Sequence, residues 1–418
     1  MPESLREHEL FKINIFKGGS IMGQDMEKLY EERLKRYVTA LKNEKPDRVP
    51  IRIFAAEFTA KYAGYTSQEV THQYNKAFEA VRKCAKDFDW DATVINMVYV
   101  WGGLVDHFGQ RYYKIPGIEL PPDIGFQYFE PKDEENAFMK ENEYDALIES
   151  PTEYLANIWM PRISRNLVPI GAPNTFRNNM AWLKGGISMM EYFSACGEAV
   201  GLLKSECGTV SAIAGILKAP FDILADKLRG FRQLSVDIHR QPEKVGKACE
   251  ALMPYMLQNA MVTSDPAKQV PVTVWLHRGT MFSENVYEKY FWPTFKEIIL
   301  QLWKNGIQTL WYGEGTWGKW LKYTAELPEK SIIYHVDKED IFEAHKQLGD
   351  KFAISGGIPN DLLAFGTPQE VKEYCKKVIQ TVGKDGGYIL DASAIVQSDA
   401  KIENIKAMTE AALEYGVY

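Results

Sequence analysis

The chain has 418 residues and a formal charge of −7 at pH 7, with 45% hydrophobic, 12% aromatic and 25% charged residues. That length suits one large barrel with insertions or two small domains, and the apolar content is ample for a sizeable core. Charges are interspersed, with neither acidic tail nor basic stripe, which argues against nucleic acid as a partner. The five cysteines form no CxxC pair and no secretory leader is evident, so they read as reduced thiols in a cytoplasmic protein. The apolar stretch "SAIAGILKAPFDILADKL" is interrupted by Lys218, Pro220 and Asp222, so no membrane span is expected.

Residues 1–46 divide into a mixed-charge arm, broken at "KGGS", and an amphipathic helix in "DMEKLYEERLKRYVTALKNEKPDRVP" that Pro46 forbids from continuing. From residue 47 to 418, short apolar runs recur, each followed by a helical pattern: "VPIRIFAAEF", "DATVINMVYVW", "GTVSAIAGIL", "VPVTVWLHRG", "IQTLWYGEG", "SIIYHVD", "KFAISGGIP" and "GGYILDAS". Alternation of this kind predicts a parallel sheet, and runs that are apolar throughout predict strands buried on both faces. The expected fold is α/β, a single (β/α)8 TIM barrel with an N-terminal helical extension. Residues 103–207, rich in Tyr, Pro, Asn and Met, are expected to be irregular insertions covering the barrel mouth.

The runs share an ending. Glu57, Trp101, His277 with Arg278, Glu314, His335 with Asp337, Gly356 and Asp391 each close one of them, and barrel enzymes place their chemistry on that rim. Glu314 and His335 end consecutive predicted strands, so their side chains can converge; a zinc ion or a plain hydrogen-bonded pair would each explain them, with His277 or Asp337 in reach as a third ligand. Arg278 presents a planar fork suited to a carboxylate or phenolate, or to an acid across the rim. Tyr99, Trp101, Phe108, Tyr112 and Tyr113 are either a pocket wall or ordinary packing. "ISGGIP" offers free backbone amides or a tight strand exit. Asp237 and His239 stand in a D-x-H arrangement, but Pro242 follows where a loop glycine would be needed, so a helix start is the expected reading. No GxGxxG or GxxxxGK[ST] pattern supports a nucleotide role.

In order along the chain, "KPDRVP", "APFDILADKLRG", "ISGGIPNDLLAFGTPQEVKEYCKKVI" and "ENIKAMTEAALEYGVY" resemble segments of the uroporphyrinogen decarboxylase superfamily. The arginine-rich segment with which true decarboxylases of that superfamily hold a porphyrinogen is replaced by "IRIFAAEFTAKYAGY". The pattern is more similar to the corrinoid-dependent methyltransferase branch. Its thiolate zinc motif is absent, since Tyr312, Glu314 and Ala394 occupy those places. Glu314 and His335, with twenty residues between them, resemble the Glu and His of methyltransferases that demethylate phenyl methyl ethers, whose earlier Glu falls here on Ile299.

The resemblance implies methyl transfer from a small aromatic methyl donor to the Co(I) corrinoid (cobalamin) of a partner protein. Zinc on Glu314, His335 and Asp337 would be the Lewis acid. Catalytic roles fall to His277, Arg278, Glu314 and His335, and substrate contacts to Glu57, Tyr99, Trp101, Arg278 and Tyr312. A decarboxylase acting on an acidic substrate is the alternative, and homodimerisation is left open.

Overall fold

The computed structural model describes residues 12–98 and 103–418. Every one of the eight apolar runs contributes a strand: Arg52–Ile53 (β1), Ala92–Thr93 (β2), the split run Val210–Ser211 (β5) and Gly215–Leu217 (β6), Val272–Leu276 (β7), Thr309–Gly313 (β8), Ile332–Val336 (β9), Ala353–Gly356 (β10) and Tyr388–Ile389 (β11). Between β2 and β5 lies a short antiparallel hairpin, Tyr113–Lys114 (β3) with Gln127–Tyr128 (β4).

All barrel pairings are parallel, in the orders β1-β2-β5 and β11-β10-β9-β8-β7-β6. Two joints close the ring. β5 and β6 are halves of one stave, the first bonded to β2 and the second to β7. At the other joint Ile51 bridges Leu390, where the Arg52 amide donates to the Leu390 carbonyl and the Leu390 amide to that of Pro50. The result is a closed barrel of eight staves.

The barrel strands are buried throughout except at Ile216 and Ser211, because helices cover the outside and side chains fill the inside. Inside, Phe54, Trp275, Leu310, Tyr312 and Ile333 pack around a buried polar group. There Arg52 donates to Asp391 at 2.9 Å, to Ser355 Oγ at 3.0 Å and to His335 Nδ1 at 3.1 Å.

The N-terminal helix runs Lys12–Leu41, so it spans the Gly18–Gly19 step where a break was expected. Glycine weakens a helix by only about 1 kcal/mol and does not clash with it. Tyr37, Ala40 and Leu41 close the barrel floor, and Asp91 accepts from Arg36 at 2.7 Å, Arg48 at 2.7 Å and the Ile51 amide at 2.7 Å.

Residues 103–207 are more regular than expected. Their last third is one helix, Phe176–Cys207, capped by the Thr175 side chain and ended by Gly208 in the left-handed conformation. The Asp237–His239 segment belongs to the helix Phe231–Arg240, and Pro242 opens the next one, Pro242–Val262. Asp237 is an internal strut that pairs with Arg229 and accepts from the Tyr144 hydroxyl at 2.8 Å.

Gly356 and Gly357 have φ of 82° and 79°. A Cβ on Gly356 would fall 2.6 Å from His335 Cε1, and one on Gly357 would fall 2.3 Å from Ile341 Cδ1. "ISGGIP" is therefore a tight strand exit.

Among the described residues no helix is long and apolar enough to cross a membrane.

Candidate active site

The C-terminal ends of β6 to β9 meet at a cavity of ≈ 540 Å³ whose wall includes Lys218, His277, Arg278, Glu314 and Asp337, with Met97, Phe126, Tyr128 and Trp275 on its apolar side. It is the barrel mouth.

After β6 the chain reads Lys218, Asp222, Asp226, a polar residue every four positions in an otherwise apolar run. The run folds as the helix Pro220–Ile223 and the π-turn Leu224–Leu228, whose spacing puts Asp222 and Asp226 on one face, while Lys218 lies between the strand and the helix and reaches Asp226 with its side chain. Asp222 and Asp226 are buried and fix the end of β7. Asp222 accepts the backbone N–H of His277 at 2.9 Å and of Arg278 at 3.2 Å. Asp226 takes the side chains: Lys218 at 2.7 Å, His277 Nδ1 at 2.7 Å and Arg278 Nε at 2.7 Å. Burial and the neighbouring Asp226 charge push the Asp222 carboxyl up to about 6. Burial would also raise Asp226, yet the bond from His277 and the charge of Lys218 outweigh it and hold Asp226 well below the usual range.

His277 lies between two carboxylates. Its Nε2 is 3.3 Å from Glu314 Oε1, across the ring from Asp226. Burial opposes the charged ring, but hydrogen bonds to Asp226 and Glu314 prevail and raise His277 to about 9. The two carboxylates thus favour the charged ring at neutral pH, with a proton on Nε2 toward Glu314, against the Lys218 ammonium that lies 3.0 Å from Nδ1.

Glu314 follows β8, its amide donating to the Leu276 carbonyl at 2.9 Å. The next residue, Gly315, has φ of 91° and donates to Asp337 Oδ2 at 2.6 Å, which places Asp337 on the same rim. Burial raises Asp337.

Glu314 and His335 are not brought together. The β8–β9 register sets His335 beside Tyr312, with the two rings stacked at 4.0 Å, so His335 lies one inward-facing step below Glu314, a drop of roughly 7 Å along the strand. It is fully buried, and both of its nitrogens are engaged. Nδ1 faces Arg52 and Ser355 at 3.1 Å, and Nε2 the Ser393 carbonyl at 3.0 Å. Burial and the Arg52 charge keep it neutral, well below the ordinary histidine value. With Nδ1 accepting from Arg52 and Nε2–H donating to Ser393, no lone pair is free for a metal. Among the described residues, no three His, Cys, Asp or Glu side chains are grouped so that they could hold a metal ion. The donor set therefore does not fit the expected zinc on Glu314, His335 and Asp337.

The other expected residues separate in the same way. Tyr312 is interior and wholly buried, with no surface on the cavity. Glu57 opens the helix Glu57–Ala63 as a buried carboxyl, raised by burial, that lies against Gly125 instead of lining the mouth. Arg278 does reach the mouth, but its Nε is committed to Asp226. Tyr99 and Trp101 lie outside the described residues. Asp226 escaped the sequence reading and Lys218 and Asp222 entered it only as interruptions of an apolar stretch, although their four-residue spacing after a strand was the available signal.

The family model for uroporphyrinogen decarboxylase (URO-D) matches residues 179–415. Uroporphyrinogen decarboxylase of Methylococcus capsulatus is 22% identical over 229 residues, 52% of this chain and 63% of the relative. Uroporphyrinogen decarboxylase 2, chloroplastic, of Oryza sativa subsp. japonica is 22% identical over 231 residues, 53% of this chain and 57% of the relative. The chain thus spans under two thirds of the length of these curated relatives. A methyltransferase from Methanosarcina mazei shares the fold, with a TM-score of 0.61 at 13% identity over 91% of this chain and 98% of that one. Because the family match runs from the long Phe176–Cys207 helix to the last helix and takes in more than half of the residues, the chain belongs to the uroporphyrinogen decarboxylase (URO-D) family.

Proposed function

We propose that the barrel mouth moves a methyl group from a methoxylated aromatic compound to the corrinoid of a partner protein, with His277 as proton donor to the departing oxygen. The observation that carries this reading is the placement of the His277 ring between the carboxylates of Asp226 and Glu314, at the wall of a cavity whose other side is aromatic.

An aryl methyl ether resists cleavage because the electron pair of the broken methyl–oxygen bond must stay on a phenolate. A donor of pKa about 9 suits an oxygen whose acid form lies near the phenol value of about 10, since proton transfer becomes favourable only as that bond breaks. His277 Nε2 gives up the proton, and Asp226 stabilises the ring throughout. Half-exposed Glu314 orients Nε2–H and passes a replacement proton from solvent. Phe126, Tyr128, Trp275 and Met97 form the bed for the arene, and Arg278 and Lys338 offer charge to a ring carboxylate. The corrinoid, when its carrier docks, supplies the electron pair that takes the methyl carbon. The described residues do not assemble a zinc site, so the proton of His277 takes the place of a Lewis acid on the departing oxygen.

Decarboxylation of an acidic substrate is the second reading, favoured by Lys218, Arg278 and Lys338 at the mouth and by the names of the curated relatives. The carboxylates of Glu314 and Asp337 in the same wall work against a polyanion. The test is to combine the chain with its corrinoid protein in the Co(I) state and a panel of methoxyarenes. Phenol release is expected, lowered roughly a hundredfold by His277→Asn. Carbon dioxide from an acidic substrate without phenol from any ether would establish the alternative.

A further inference from the structure

The β3–β4 hairpin and the residues flanking it serve two cavities. Phe126 and Tyr128 line the mouth, whereas Tyr113, Lys114 and Phe129 line a second cavity, also of ≈ 540 Å³, that shares no residue with the first. Pockets for small organic ligands span about 300–1,000 Å³, so the volume suits one.

Five cations and two carboxylates face this cavity, in a chain whose overall charge is −7. Arg162 is neutralised by Glu143, which it meets at 2.5 and 2.7 Å, and Arg165 reaches Glu119 at 3.3 Å. The other three are not cancelled. Lys140 donates to the carbonyls of Glu134, Glu135 and Ala137 and, among the described residues, has no carboxylate partner. Burial and the Arg162 charge lower its ammonium, as expected of a wall short of negative charge. Arg111 and Lys114 are exposed, and among the described residues neither side chain makes a hydrogen bond or an ion pair. Against these three stands one unpaired carboxylate, that of Glu135.

Unpaired cations on a surface are ordinary, but these border an apolar wall on a braced backbone. Phe129 and Phe138, their ring centroids 5.6 Å apart, form that wall with Leu120 and Ala137. The Arg111 amide donates to the Ile163 carbonyl at 2.7 Å and the Arg165 amide to the Gly109 carbonyl at 3.0 Å, so the segments that carry the two arginines are laced together. A ring and an anionic group are thus both provided for, because aromatic side chains receive an arene and an arginine fork receives a carboxylate or phosphate.

We propose that this cavity binds a small aromatic anion, its ring against Phe129 and Phe138 and its carboxylate or phosphate held by Arg111 and Lys114. Since the two cavities have no residue in common, the inference stands apart from any reading of the mouth.

Isothermal titration of the full chain with phenyl phosphate and with benzoate tests it, the tighter of the two identifying the charged group. A dissociation constant below about 1 mM is expected for at least one, and inorganic phosphate, which has no ring, should bind at least about tenfold more weakly. Arg111→Ser with Lys114→Ser removes exposed, unpaired side chains, so melting should be unchanged while affinity falls roughly tenfold or more. Binding should persist in Arg278→Ala, which alters the mouth. Absence of saturable binding by both aryl anions overturns the inference, as does inorganic phosphate bound equally well or an affinity indifferent to the loss of Arg111 and Lys114. Binding abolished by Arg278→Ala would put the anion in the mouth and overturn it too.

Discussion

His277 Nε2 stands 3.3 Å from Glu314 Oε1 at the barrel mouth, and the two side chains come from the ends of adjacent staves, β7 and β8. One carboxylate would suffice to orient an imidazole. The second, Asp226 on Nδ1, makes the ring a stored proton instead of a base, and Asp222 beneath it holds the peptide on which the ring is carried.

The first expected outcome concerns pH. The folded value of His277, about 9, lies above its ordinary 6.5, so the charged ring stabilises the fold fully below pH 6.5 and that contribution is lost as pH rises through 9. Phenol-releasing kcat/KM should likewise hold at neutral pH and fall about tenfold per unit above the same value. Melting temperatures of wild type and His277→Asn between pH 6 and 10 should converge on the alkaline side. A transition centred near 6.5 would show an ordinary histidine.

Asp226→Asn removes the charge that Lys218, His277 and Arg278 share and leaves them one acceptor oxygen in place of two. Leaving buried cations without their counter-charge costs about 3–5 kcal/mol, to be read from urea unfolding. His277 should also fall back toward its ordinary value, moving the alkaline limb of the rate profile toward acid by about 1–2 units. A variant that is destabilised yet keeps its limb near 9 would show that Asp226 only braces the fold.

The barrel was legible because burial on both faces leaves an unmistakable pattern: all eight apolar runs became staves, and His277 and Arg278 were recognisable as residues that end one of them. Depth was not legible. In the sequence Glu314 and His335 each end a run, but which layer a side chain joins depends on register between neighbouring strands, and that register pairs His335 with Tyr312. Asp226 was hidden for a related reason. It reaches β7 from the turn after β6, a contact created by closure of the barrel and by no local motif.

That difference in depth separates Glu314 from His335 by experiment. His335→Ala takes one acceptor from Arg52, leaves the Ser393 carbonyl unpaired inside the barrel and opens a void, and should cost about 3 kcal/mol. Since both ring nitrogens are already taken, it should leave the zinc content of the purified chain unchanged. Glu314→Gln, at a half-exposed position, should stay within about 0.5 kcal/mol of wild type while slowing phenol release. Zinc lost on His335→Ala, measured by elemental analysis of folded protein, would instead require the ring to turn toward the mouth.

At the other end of the barrel, Asp91 tests whether stability and chemistry are segregated by face. It immediately precedes β2, is fully buried, and collects Arg36, Arg48 and the Ile51 amide at one carboxylate, which joins the N-terminal helix to the first two staves. Asp91→Asn keeps the shape but removes the charge that two guanidinium groups share, so a loss of about 3 kcal/mol or more is expected. The mouth is built by the opposite strand ends, so kcat/KM of the folded variant should match wild type. Loss of activity at a temperature where circular dichroism shows the variant fully folded would mean that the floor of the barrel sets the geometry of its rim.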